Sequence, residues 1–137
     1  MKAAVLHGQE DVRIEEMDSP ALQSGEVRIR IGAALTCGTD LKVYRRGYHA
    51  RMITPPAVFG HEFAGTIEAV GKDIKRWKVG DRVTVPFVSG CGHCPECHSG
   101  NHQVCDHQFQ PGFTHWGSFA EYVGLHHADL NLVALPE

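Results

Sequence analysis

No stretch of this sequence approaches the roughly 20 consecutive apolar residues that a membrane span requires. Met1 to Gly8 also lacks the basic start, apolar stretch and small-residue cleavage site of a secretory signal. A soluble, cytoplasmic chain is the expectation, in a compartment that keeps thiols reduced. Neither sign of charge dominates: the formal net charge of -3 offers no electrostatic footprint for nucleic acid or an anionic membrane. Repeats, linkers and low-complexity tracts are lacking too. Missing as well is Gly-x-Gly-x-x-Gly after a strand, with the alternating strands and helices that accompany it, so the chain contains no dinucleotide-binding domain of that kind. With 137 residues there is room for one core and little more.

What is present reads as mainly β. Lys2 to His7 and Val12 to Met17 flank a Gly8-Gln9-Glu10-Asp11 turn, and Val27, Ile29, Ile31 and Ala33 alternate with Arg28, Arg30 and Gly32. Further strands are predicted over Ala64 to Val70, Asp81 to Phe87 and Ala120 to His126. One short helix is predicted over Asp40 to Arg46, with Thr39 or Asp40 as its cap. Fifteen glycines and seven prolines suit a small, partly open barrel whose strands turn sharply.

Five cysteines divide four plus one. Cys91, Cys94, Cys97 and Cys105 fall in one loop-rich lobe, about residues 89–107, and two-residue gaps let tight turns aim successive thiolates at a single tetrahedral ion such as zinc. Two disulfides in a secreted domain are the competing reading, which the inferred compartment disfavours. Seven of the ten histidines lie between His93 and His127, and most read as surface groups because four sulfurs already complete one zinc site.

The odd cysteine has company. Cys37-Gly38-Thr39-Asp40 follows the Val27 strand, and Gly60-His61-Glu62 precedes another. A cysteine and a histidine from the ends of two strands are half of an open catalytic zinc site; the plain alternative is a buried thiol beside an ordinary loop histidine.

Taken together, Gly60-His61-Glu62 with Gly65, Gly71 and Ile74, Cys37-Gly38-Thr39-Asp40, Val79-Gly80-Asp81-Arg82-Val83, the four-cysteine lobe and Gly117-Ser118-Phe119-Ala120-Glu121-Tyr122 resemble, in order, the landmarks of the zinc-dependent medium-chain alcohol dehydrogenases. The resemblance covers essentially the whole chain. It implies a GroES-like catalytic domain over residues 1–137, with its core at about 25–134, lying amino-terminal to a Rossmann domain that this chain does not contain. It implies Cys37 and His61 as ligands of a catalytic zinc, Glu62 as a tuning or alternate ligand, and Cys91, Cys94, Cys97 and Cys105 as holders of a second, structural zinc. Thr39 would take the proton of the alcohol, Phe87 and Trp116 would line the substrate pocket, and NAD or NADP, bound mainly by the missing domain, would accept hydride from the zinc-bound alkoxide.

Lys42 departs from the family pattern, which often has a histidine there to end the proton relay. Lysine is ordinarily protonated at neutral pH and a poor acceptor, so Lys42 is a candidate contact for the cofactor's phosphate or ribose instead. The expected partner is a small alcohol or aldehyde, with homo-oligomerisation of the complete enzyme. Little activity is expected of the chain alone. A zinc-binding interaction module without catalysis is the alternative function.

Overall fold

A computed structural model describes residues 1–136. The period-two alternation of Val27 and Ile29 with Arg28 and Arg30 builds strand β3 (Val27–Leu35), which buries the apolar set and leaves Arg30 exposed. β3 pairs antiparallel with β5 (Glu62–Val70) on one side and with β7 (Tyr122–Leu125) on the other. β5 continues to β6 (Arg82–Thr84) and β6 to β8 (Val133–Ala134), giving the order β7-β3-β5-β6-β8. Val27, Ile29, Phe63, Ile67, Val83, Val123 and Leu125 form its core. Each such side chain contributes roughly 1.5–3 kcal/mol by leaving water.

A second sheet runs β2-β1-β4, from Asp11–Glu16, Lys2–Gly8 and Ala57–Val58. The segment before β7 stitches the two together: the Ala4 amide donates to the Phe119 carbonyl, and the Glu121 amide to that of Lys2. Both sheets stay open, each with two edge strands, so the strands do not close into a full barrel. The predicted strand from Asp81 to Phe87 shrinks to Arg82–Thr84, and that from Ala120 to His126 shrinks to Tyr122–Leu125 because Ala120 bridges Ala3 of the other sheet.

Helix α1 (Gly38–Arg46) lies against β1 and buries Asp40 and Val43, the latter in a cluster with Leu6, Ile53, Phe59 and Phe113. Its cap is Cys37, two positions before Thr39 and three before Asp40, the predicted candidates. The Cys37 sulfur accepts from the Thr39 amide (3.2 Å), while Asp40, at the third helical position, accepts from the Cys37 amide (2.9 Å), a reciprocal box with sulfur in place of the usual oxygen. The helix stops at Gly47, whose φ of 82° is left-handed and whose amide caps the Val43 carbonyl. Two short helical turns follow, α2 (Pro95–His98) in the cysteine lobe and α3 (Ala128–Asn131) beneath it, and a single 3-10 turn covers His102–Val104.

Candidate metal centres and their surroundings

The β3–β5 register brings the first site together. Leu35 pairs with Glu62 at the end of the ladder, so Cys37 and His61 are the residues that emerge beside each other just beyond it. Cys37 Sγ lies 3.1 Å from His61 Nε2, and both stand within 4.8 Å of a Glu62 carboxylate oxygen. His61 is buried, Cys37 half-buried and Glu62 exposed, which leaves the site open on the carboxylate side.

His61 has a partner on its other nitrogen. Nδ1 faces Asp40 Oδ1 at 3.4 Å, with both side chains almost fully buried, although that contact falls short of a well-formed hydrogen bond. Asp40 therefore serves Cys37 through the cap and His61 through the ring, directing Nε2 toward the sulfur. Sequence reasoning missed this role: it saw Asp40 only as a cap candidate, and the signal available was its position three residues after a cysteine.

Thr39 sits half-buried in the first turn of α1, and Lys42 is exposed one turn further on. Phe87, 43% exposed, packs its ring edge against His61 with centroids 5.0 Å apart. Trp116 is placed differently. Half-exposed, it lines a cavity of about 280 Å³ with Met52, Pro56 and Phe113, and Phe113 in turn lies 5.1 Å from His61 and 5.2 Å from Phe87. The buried ring of Phe113 is thus the wall that the sequence did not disclose.

The second site is the lobe. Ser89 and Phe109 exchange two backbone hydrogen bonds (3.1 Å each) that close its neck, and the Asn131 side chain docks it on α3 by donating to the Gly90 carbonyl and accepting from the Gly90 amide. Inside, Cys91, Cys94, Cys97 and Cys105 are all buried, with sulfurs mutually within 4.8 Å. Cys94 and Cys105 sulfurs are 3.8 Å apart. A tetrahedron with metal–sulfur bonds of about 2.3 Å has edges of about 3.8 Å, so this donor set fits a zinc ion. All five cysteines are free, and the disulfide reading is not realised. The His93 backbone holds the Cys91 thiol down at about 6, whereas burial pushes Cys105 up to about 12.

Comparison with known proteins agrees with this geometry. Residues 23–137 match the family model described as the alcohol dehydrogenase GroES-like domain. An alcohol dehydrogenase from Moraxella sp. (strain TAE123) is 43% identical over 126 residues, 90% of this chain and 37% of that protein. Among solved structures, the alcohol dehydrogenase TADH from Thermus sp. ATN1 superposes with a TM-score of 0.91 at 34% identity, over 100% of this chain and 40% of its own. An alcohol dehydrogenase from E. coli CFT073, solved with NADH, gives 0.85 at 36% identity over 100% of this chain and 39% of its own. The chain belongs to the zinc-dependent medium-chain alcohol dehydrogenases, as their amino-terminal GroES-like domain. It spans about two fifths of the length of these relatives. No helix among the described residues is long and apolar enough to cross a membrane.

Proposed function

We propose that this chain is the catalytic domain of an enzyme that oxidises an alcohol to an aldehyde or ketone, passing hydride to NAD or NADP. The observation that carries the reading is the 3.1 Å approach of Cys37 Sγ to His61 Nε2 at an open site flanked by Glu62. A thiolate and an imidazole with a third position left accessible are the donors of a catalytic rather than a structural zinc site. Zinc held there by Cys37 and His61 would supply Lewis acidity that lowers the pKa of an alcohol hydroxyl.

The chain's own residues do the remaining work. Asp40 orients the His61 ring, and Phe87 covers one edge of it and keeps water from that side. Thr39, two residues after Cys37 in the first turn of α1, would accept the alcohol's proton through its hydroxyl and pass it outward. Glu62 is the exposed carboxylate available to exchange with ligands at the open side. In the lobe at residues 89–107, Cys91, Cys94, Cys97 and Cys105 would hold a second zinc, whose bonds would cross-link the loop.

Zinc stoichiometry of the chain tests this reading. Two ions per chain, falling to one in a Cys37→Ser, His61→Ala double variant, is the expected result. One ion in both forms would leave only the four-cysteine lobe as a metal site and would overturn it.

A further inference from the structure

The register that assembles the first metal centre has a counterpart at the other end of β3. Val27 pairs with Leu125 at the last rung of the β3–β7 ladder, so Glu26 and His126 emerge beside each other just beyond it. Glu26 is 5% exposed; its Oε2 accepts from the Gln23 amide at 2.9 Å, and its Oε1 meets His126 Nδ1 at 2.6 Å. A carboxylate so deeply buried needs a partner to keep its charge, and here the ion-pair partner is an imidazole.

A second imidazole stands beside the first. The ring of His115, from the segment that folds back over Gly60, lies 4.9 Å from that of His126, centroid to centroid, with 54° between their planes. Phe109, part of the main core, packs under both rings at 4.4 and 4.7 Å. His115 Nδ1 is 2.9 Å from Thr114 Oγ1, whose own proton goes to the Gln110 carbonyl at 3.3 Å, so that Oγ1 accepts from Nδ1. Each ring thus gives its Nδ1 proton to an oxygen and keeps the lone pair on Nε2. Metal-ligating histidines have this arrangement, in which an oxygen on the far nitrogen fixes the ring and strengthens the near nitrogen as a ligand. Burial, followed by the neighbouring His126, lowers His115 from the ordinary 6.5, which keeps its imidazole neutral at pH 7.

The spacing agrees. Two imidazoles bound to one zinc at about 2 Å, near the tetrahedral angle, hold their centroids about 5 Å apart. The His126 side chain is 37% exposed and His115 is exposed, so an ion reaches them from solvent. His127, the next residue, takes no part, because its ring meets that of His93 at 5.9 Å. Stacking on Phe109 would account for the gathering of the rings, but not for an oxygen on both Nδ1 atoms.

We propose that His115 and His126 bind a divalent transition-metal ion through Nε2, with Glu26 and Thr114 holding the rings and water completing the coordination. Imidazole nitrogen suits zinc, nickel and copper alike. Having only two protein ligands, the site fills after the Cys37 and cysteine-lobe sites and loses its ion on desalting. The bound ion would tie the segment that carries Phe113 onto His61 to the end of β7. None of this depends on the reading of Cys37 and His61 as a reaction centre.

The test follows the imidazole nitrogens by long-range proton–nitrogen NMR as zinc is added beyond saturation of the tight sites. Nε2 of His115 and of His126 should move together and saturably, with Nδ1 of each little changed. His115→Asn should abolish the movement at His126, and Glu26→Gln, which keeps an acceptor for the Gln23 amide, should weaken binding roughly tenfold. Because His115 is exposed, its replacement spares the core, and the amide dispersion of that variant verifies folding. A Cys37→Ser, His61→Ala variant should show both shifts unaltered, so failure of the catalytic reading leaves this site standing. The proposal is overturned by the absence of a saturable shift, by movement of one ring alone, or by movement at His126 that persists in His115→Asn. Shifts confined to His93, His107 and His127 would also overturn it, by placing the ion against the lobe.

Discussion

Asp40 and His61 face one another at 3.4 Å across the junction of α1 and β5, each almost sealed from solvent. Because the same carboxylate also closes the α1 cap through the Cys37 amide, its removal acts on two levels. Asp40→Ala is expected to cost about 1 kcal/mol of stability through the cap and to weaken zinc at Cys37 and His61 by roughly 10- to 100-fold through the freed ring. Thermal melts and competition with a chromophoric chelator read the two effects separately. Asp40→Asn, which keeps an acceptor, should recover most of the stability and less of the zinc affinity.

Gly117→Ala should damage the first site from a distance. A Cβ there would stand 2.2 Å from the Gly60 carbonyl oxygen and 2.5 Å from that of Phe59, both backbone atoms that cannot swing away. The Phe59–Gly60 segment leading into His61 must shift, at a cost of about 1–3 kcal/mol. The expected signature is a lowered Tm with preferential loss of the zinc bound by Cys37 and His61. Gly8→Ala, whose Cβ meets nothing within 4 Å, is the neutral comparison.

Zinc uptake by the lobe should be proton-linked in a pH-dependent way. Above about 6 the Cys91 sulfur has already lost its proton, whereas Cys105, pushed up to about 12, still holds one and must release it to bind metal. Affinity therefore rises with pH, and its slope steepens below about 6, where Cys91 adds a proton to the count. Calorimetry in buffers of different ionisation enthalpy measures the number released on either side of that pH.

Acid should destabilise the fold through His115 and His127. Burial, followed by the nearby His126, lowers both from the ordinary 6.5. The folded protein thus binds protons less readily than the unfolded chain, so the stability is fully present above about 6.5 and is lost as pH falls through that value and on through the lowered folded ones. A Tm that declines over this window in wild type and declines less in a His115→Asn, His127→Asn variant is the expected outcome. Parallel declines would refute the assignment.

Much of this molecule is legible along the chain. Val27 and Ile29 announce their strand by alternation, and four closely spaced cysteines announce a metal lobe before any contact is known. The pairing of Asp40 with His61 is not legible, because it depends on a β3–β5 register that no local pattern encodes. Phe113 escapes for a similar reason: its place between His61, Phe87 and His49 is decided by how residues 110–117 fold back over Gly60. The sequence places the cap two or three positions too late, at Thr39 or Asp40, because preferences derived from oxygen side chains favour threonine and aspartate, and here a sulfur takes that place. Strands of two residues, such as Ala57–Val58 and Val133–Ala134, are too short to show a period.

The sulfur that caps α1 gives the helix a view of the metal. Cys37 Sγ accepts the Thr39 amide and also meets His61, so electron density drawn from it by a cation is drawn equally from that amide's hydrogen bond. Solvent exchange at one backbone position, beside the hydroxyl assigned to proton transfer, then becomes a native gauge of occupancy that requires no added label.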